Sequence, residues 1–401
     1  MSLTLLFDLD DTLLDTNIET FVSAYFQALS EHMSPYVAAD KMLPALLSAT
    51  KLMMDSDDPL QTLQTVFETK FYSAIGIAKH ELLEMLEGFY DNIFPKLGKY
   101  TNQRPEAVSV IEWAFSRGYR VAIATDPLFP RKATRHRLRW AGFDPDQFEL
   151  VSSFEDFHFS KTHPAYYAEV LGRLGWPDGP VLMVGNDVKR DLIPANRLGL
   201  KTYFIDGDSA SSPGFEAGRG KLADLRPWLE SVDLSTLEPL FKSPEAVLAI
   251  LKSTPAVFHS ITSLLTNQQW SYEPAKDNWA MSEVICHLRD TESEIHRVQL
   301  DLMLTRADVF IPRPDTSVWS SERDYLHVNG AVALQEFISA RIDNLERLKT
   351  VNELVWAQKA RHAIFGPTNF LEVISFTADH DRMHIQQTWK LLQSVQNCVS
   401  I

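Results

Sequence analysis

Two cysteines in 401 residues, Cys286 and Cys398, are too few for a disulfide framework, and their separation fits a reducing compartment better than a secreted scaffold. A cytoplasmic protein is expected. No run approaches the roughly 18 apolar residues of a membrane span. The apolar start Leu3–Phe7 runs straight into Asp8, Asp10 and Asp11, with neither a basic leader nor a small-residue cleavage site. Neither targeting nor membrane attachment is therefore expected. Positive charge is also scarce: 38 Lys and Arg stand against 53 Asp and Glu, with 15 against 19 in residues 241–401 and 23 against 34 before them. Neither part has the basic excess of a phosphate-backbone binder, which argues against nucleic acid as a partner. Internal repeats and low-complexity tracts are missing too.

What is there is a chain 45% hydrophobic and 23% charged, long enough for two or three domains at roughly 100–200 residues each. Up to residue 206, the apolar runs Leu3–Phe7, Arg120–Thr125, Phe148–Ser152, Pro180–Gly185 and Lys201–Asp206 alternate with amphipathic stretches at Pro105–Arg117, Pro130–Trp140, His163–Leu174 and Lys189–Leu198. That rhythm predicts a doubly wound α/β domain with a parallel sheet. About a hundred residues separate the first two runs, far more than a βα connection needs. Residues 17–95 of that gap read as helices (Glu19–Leu29, Lys41–Met53, Leu60–Ile75 and Lys79–Tyr90), a cap inserted after the first strand. Asp206 opens a turn-rich stretch that includes Gly-Arg-Gly, and a closing helix is expected at Leu222–Leu229. The first domain is placed at residues 1–235. Residues 240–401 read differently, with long amphipathic helices at about 244–265, 280–303, 332–350 and 369–395 and no convincing strand, which predicts an all-α four-helix bundle.

The strongest chemical signal is Phe7-Asp8-Leu9-Asp10-Asp11-Thr12, an apolar strand ending in acids one position apart. Two carboxylates on one side of a strand end are costly unless a cation is present. Ile123-Ala124-Thr125-Asp126 ends the second run with a hydroxyl, Lys161 follows the third in Ser-Lys-Thr-His-Pro, and Gly185-Asn186-Asp187-Val188-Lys189-Arg190-Asp191 ends the fourth with two more acids. In an open α/β sheet strand C-termini converge on one crevice, so these groups become neighbours. In this order they closely resemble the haloacid dehalogenase superfamily, in its phosphatase branch with a helical cap, over about residues 1–230. The resemblance implies that Asp8 attacks phosphorus to give an aspartyl-phosphate, that Asp10 protonates the leaving alcohol and then activates water, and that Thr125 and Lys161 hold phosphate oxygens. It also implies that Mg2+ binds Asp187, Asp8 and the main-chain carbonyl of Asp10. Asp191 either joins Asp187 at the metal or acts from behind it, with Asp187 ranked ahead. Asp126 stands where an Asn is common in relatives. Arg131, Arg135 and Arg137 read as a solvated basic helix face rather than as partners for an anionic substrate tail.

Seven of the twelve histidines fall in residues 241–401. His380 and His384 lie four apart, on one helical face with Val373, Phe376 and Thr377, and His287 shares an apolar stripe with Val284 and Leu288. Three interior histidines from two helices suit a divalent metal with an open coordination position. Trp279, Cys286-His287-Leu288, Glu292, Ala340-Arg341, Gly366 and His380-Asp381-Arg382-Met383-His384 together resemble the DinB-like bundles over about residues 240–395. That resemblance implies an up-down-down-up bundle with His287, His380 and His384 holding Zn2+, Ni2+ or a similar ion. Trp270, Trp356 and Trp389 read as packing residues, Cys286 as a small buried hydrophobe, and His362 as a bystander to the metal. The leading expectation is a Mg2+-dependent phosphatase of a small phosphorylated metabolite, fused to a metal-binding bundle. The alternatives are a thiol-dependent transferase bundle with an accessory phosphatase, or a bundle that serves homodimerisation or ligand sensing.

Overall fold

A computed structural model describes residues 2–205, 214–263, 265–275 and 278–399, with side chains as far as residue 394. Residues 206–213 of the expected turn-rich stretch, and the Cys398 side chain, lie outside the described ones. The chain divides into two compact units, Met1–Val170 with Asp178–Leu240, and Leu171–Pro177 with Phe241–Ile401.

In the first unit six parallel strands form one sheet in the order Leu150–Val151, Arg120–Ile123, Thr4–Phe7, Val181–Gly185, Lys201–Ile205 and Gly218–Gly220. Thr4–Phe7 is central and buried along its whole length, as a strand covered on both faces must be. Phe7 stands level with Ile123 on one side and Val184 on the other, so three strand ends open on the same crevice. Helices Pro105–Ser116, Arg131–Trp140 and Leu222–Ser231 contribute Ile111, Leu138 and Leu225 to the core around Leu5, Phe7 and Val184. The edge strand Gly218–Gly220 replaces the expected Gly-Arg-Gly turn. With no side chain at Gly218 the strand lies close against Trp228, whose ring a Cβ there would meet at 2.5 Å.

The cap is helical as expected: Ile18–Met33, Ala39–Asp55, Leu63–Ile75 and Lys79–Asn92. It has its own core, which includes Phe21, Tyr25, Phe71, Phe89 and Phe94. Where the chain enters and leaves it, Leu14–Asp15 pairs antiparallel with Asn102–Gln103, a two-stranded clasp at the base of the insertion.

The second unit holds helices Pro244–Thr262, Met281–Thr291, Gly330–Leu348 and Phe370–Val399; the second of these runs on through a wide turn, Glu292–His296, into Arg297–Thr305. It is not wholly α. Lys359–His362 pairs antiparallel with Gly366–Asn369 and parallel with Val309–Ile311, a small sheet where no strand was expected. Each strand has only three or four residues, too few to display a period.

Between the helices the Arg341 guanidinium is buried and donates to Glu292 Oε1 and Oε2, both at 2.8 Å, and to Asp381 Oδ1 at 3.0 Å. Asn344 Nδ2 adds a bond to Glu292 Oε1 at 2.7 Å. Burial opposes the charge on Glu292, but Arg341 and His296 outweigh it and hold the carboxyl well below the usual range. Arg341→Met would strand two buried carboxylates. The expected cost is roughly 3–5 kcal/mol, read as a lower urea midpoint for loss of helical signal from this unit; a change within about 1 kcal/mol would show that the network is not structural.

Candidate active site and histidine centre

Asp8 follows directly on the central strand and remains tied to the sheet, its N–H donating to the Val184 carbonyl at 2.9 Å. Its carboxylate is buried, with Lys161 Nζ 2.6 Å from Oδ1 and the Thr12 hydroxyl donating to Oδ2 at 3.3 Å. Thr12 also reaches Asn186 Oδ1 at 3.2 Å, linking the end of the first strand to that of the fourth. On its other side Lys161 pairs with Asp191, so one ammonium bridges two buried acids. Burial opposes its charge, but Asp191 and then Asp8 hold its pKa well above the ordinary lysine value. Burial, followed by the nearby Asp8 charge, pushes Asp191 up to about 7.

Asp187 plays a different part. Its Oδ1 accepts the N–H groups of Lys189 (2.8 Å) and Arg190 (3.1 Å), and its own N–H donates to Asp191 Oδ2 at 2.9 Å. Its side chain is 45% exposed against 1% for Asp191, so of the two it is Asp191 whose carboxylate is enclosed with Lys161. The turn that presents them, Val188–Leu192, is a wide π turn, with Leu192 N–H bonded to the Asp187 carbonyl at 3.3 Å. A buried excess of carboxylate over ammonium, with further oxygen donors beside it, has the chemistry of a site for a hard divalent cation.

Thr125 is buried at the end of its strand, and its carbonyl accepts from Ser152 Oγ (2.6 Å) and the Tyr166 hydroxyl (2.8 Å). Asp126 Oδ1 accepts the Lys161 N–H at 3.2 Å, and burial raises its pKa against the opposing pull of Arg190 and that N–H. Asp10 accepts from the Thr16 hydroxyl at 2.8 Å and is paired with Arg137. That pairing corrects the reading of Arg137 as part of a solvated face. It is 1% exposed, its pKa lowered by burial to about 10, while Arg131 and Arg135 pair with Asp156 and Asp146 near the surface. A basic residue in a basic run gives no local sign of burial, and the only hint in the sequence was helical spacing beside Ala133, Thr134 and Leu138.

In the second unit the three expected histidines converge. His380 Nε2 lies 3.1 Å from both His287 Nε2 and His384 Nε2, and the three ligand atoms lie within 4.8 Å of one another. Burial is the first cause lowering all three pKa values, to about 3 for His287, so neutral imidazoles with available lone pairs face one point. Gln387 Oε1 lies 2.8 Å from His384 Nδ1 and accepts its proton, which turns the Nε2 lone pair inward. Buried His287 Nδ1 and His380 Nδ1 have no partner among the described residues. Trp279 stacks parallel to His384, with ring centroids 6.2 Å apart. This donor set fits a divalent metal with a position left open. His362 is elsewhere, on the small sheet against Phe365 and Phe376. Burial pushes the Cys286 thiol up to about 11, which suits a packing residue rather than a nucleophile.

Residues 3–199 match the family model of haloacid dehalogenase-like hydrolases, and residues 250–388 match that of the DinB superfamily. Among curated proteins, pyrophosphatase PpaX of Bacillus cereus (strain AH820) is 23% identical over 237 residues, covering 58% of this chain and 98% of the relative. PpaX of Bacillus pumilus (strain SAFR-032) is 24% identical over 217 residues, 52% of this chain and 86% of its own. Among solved structures, a HAD phosphatase from Thermococcus onnurineus aligns with 57% of this chain and 98% of its own length at 22% identity, TM-score 0.39. YfiT from Bacillus subtilis, a four-helix bundle of unusual topology, aligns with 40% of this chain and 91% of its own at 16% identity, TM-score 0.36.

The enclosure of Asp191 depends on Gly185, where a Cβ would lie 2.2 Å from Asp191 Oδ2. Gly185→Ala is expected to cost roughly 1–3 kcal/mol through overpacking, measured by urea unfolding of the first unit. An unchanged midpoint would mean that Asp191 is free to move aside.

Proposed function

Because residues 3–199 form a haloacid dehalogenase-like hydrolase domain and residues 250–388 a DinB-superfamily domain, we propose that the protein is a Mg2+-dependent phosphatase of small phosphate monoesters joined to a metal-holding bundle. The observation that carries this reading is the Lys161 ammonium bridging buried Asp8 and Asp191 at the end of the central strand, with Asp10 two residues beyond. Asp8 is the nucleophile. Its carboxylate oxygen bonds to phosphorus as the bond to the leaving oxygen breaks, and Asp10 supplies the proton that the alcohol takes away. In the second step water attacks the aspartyl-phosphate, its proton passes to Asp10, and inorganic phosphate and free Asp8 are released. Asp10 must turn from Arg137 to reach the leaving oxygen. Its presence favours ester hydrolysis over dehalogenation, since a departing halide needs no proton.

Lys161 meets the negative charge of the phosphoryl group, and the buried Thr125 at the neighbouring strand end holds one of its oxygens. Asp8, Asp191, Asp187 and the Asp10 carbonyl are the groups that would hold Mg2+, which supplies charge neutralisation for a dianion approaching a carboxylate. In the bundle, His287, His380 and His384 hold Zn2+, Ni2+ or a similar ion. Pyrophosphate enters as a candidate substrate through the names of the PpaX relatives.

Aryl-phosphate hydrolysis by the purified protein is expected to require Mg2+ and to fall by at least about a thousandfold in Asp8→Asn, with the circular dichroism spectrum unchanged. Equal turnover by wild type and variant would remove Asp8 as nucleophile. For the bundle, metal analysis is expected to give one tightly held transition ion per chain, lost in both His380→Ala and His384→Ala. Retention of that ion by both variants would overturn the ligand set.

A further inference from the structure

A cavity of about 380 Å3 lies between the cap helices and the sheet domain, and Asp10, Asp126 and Arg190 at the carboxylate end are part of its lining. Elsewhere the walls are mostly apolar, with Val22, Phe26, Phe67, Phe71 and Phe154 among them, interrupted by Gln64 and by the charged side chains of Glu68, Lys79, Glu87 and Lys132. All three cations in its lining have acidic partners: Lys79 is 2.7 Å from Glu68, and Lys132 is 2.8 Å from Asp91 and also paired with Glu87. The third, Arg190, stands at the carboxylate end, 3.7 Å from Asp126 and 3.9 Å from Asp187. Glu155, also in the lining, has its pKa raised by burial. Two of the lining phenols are engaged with each other, Tyr25 and Tyr90 being 2.9 Å apart.

We propose that the preferred substrates are phosphate monoesters of apolar alcohols or phenols, with the phosphate at Asp8 and the hydrocarbon part lying in this cavity. The proposal rests on the phosphatase reading above and specifies its substrate class. At about 30 Å3 per water-sized atom the cavity takes a tail of roughly a dozen heavy atoms. A second phosphate would meet lysines already paired with Glu68, Glu87 and Asp91, and a polyhydroxylated sugar would exchange much of its hydration for walls that are mostly apolar. Inorganic pyrophosphate, with no apolar part, would leave the cavity unused. An alkyl or aryl tail instead gains by leaving water, and that gain, made away from the reacting atoms, raises kcat/KM.

The test is a homologous series. Hydrolysis of n-alkyl phosphates from ethyl to octyl and of inorganic pyrophosphate is measured with the full chain and Mg2+, and calorimetric binding of the matching alkylphosphonates is measured alongside. The expected result is that kcat/KM and phosphonate affinity each rise roughly threefold to fourfold per methylene, with pyrophosphate the poorest substrate. Flat or falling affinity along the series, or a preference for pyrophosphate, overturns the proposal. The two readings fail separately. Phosphonates that tighten with length, with no ester turned over, would remove the phosphatase reading and leave the cavity's occupant as proposed. Turnover independent of chain length would remove the tail preference and leave the phosphatase reading intact.

Discussion

The first unit is organised around an electrostatic debt: buried carboxylates on one edge of a sheet, with a single enclosed ammonium between them. Lys161 lies 2.6 Å from Asp8 and also touches Asp191, and neither acid has water enough to screen the other. The surrounding geometry preserves this crowding. Parallel pairing brings the ends of three strands level, Thr12 ties the first to the fourth through Asn186, and Gly185 leaves room for the Asp191 carboxylate. A fold that relieved the debt with an apolar residue would be easier to stabilise. What it would lose is a place where charge transferred during a reaction meets fixed, oriented partners.

The second unit uses the same physics with the opposite outcome. Arg341 meets Glu292 and Asp381 in a closed set in which cation and anions satisfy one another. The histidines nearby are left with their lone pairs turned to one point. A wide helical turn accompanies each site, Val188–Leu192 in the first unit and Glu292–His296 in the second. Such a turn gains one residue relative to regular helix and so re-aims the side chains that follow, which is why these turns gather at functional positions.

The cap adds selection to chemistry. Its helices share a core rich in aromatic rings, and the space they leave beside Asp10 and Asp126 is lined by the same kinds of side chain. Along the cap helices the lysines of the lining are paired with acids, Lys79 with Glu68 and Lys132 with Glu87, while Arg190 and the carboxylates of the reaction centre line its other part, so apolar surface and shape make up much of what a substrate tail would meet.

Much of this was legible in the sequence. The apolar runs Leu3–Phe7, Arg120–Thr125 and Pro180–Gly185 contain the adjacent strands Thr4–Phe7, Arg120–Ile123 and Val181–Gly185, because continuous hydrophobicity bounded by turn residues has few other uses. His380 and His384 share a face because a helix repeats every 3.6 residues. The amino-acid order thus determined the long helices, the main strands of the first unit and the side of its own element on which groups such as His380 and His384 lie. Partnership was decided by the tertiary structure. Arg137 meets Asp10 across 127 positions, Lys161 reaches Asp8 across 153, and strands of three or four residues form the small sheet of the second unit. Local periodicity records how a residue is turned with respect to its own element. What stands opposite is settled only when elements pack, since burial and proximity, rather than residue type alone, separate a solvated arginine from an enclosed one.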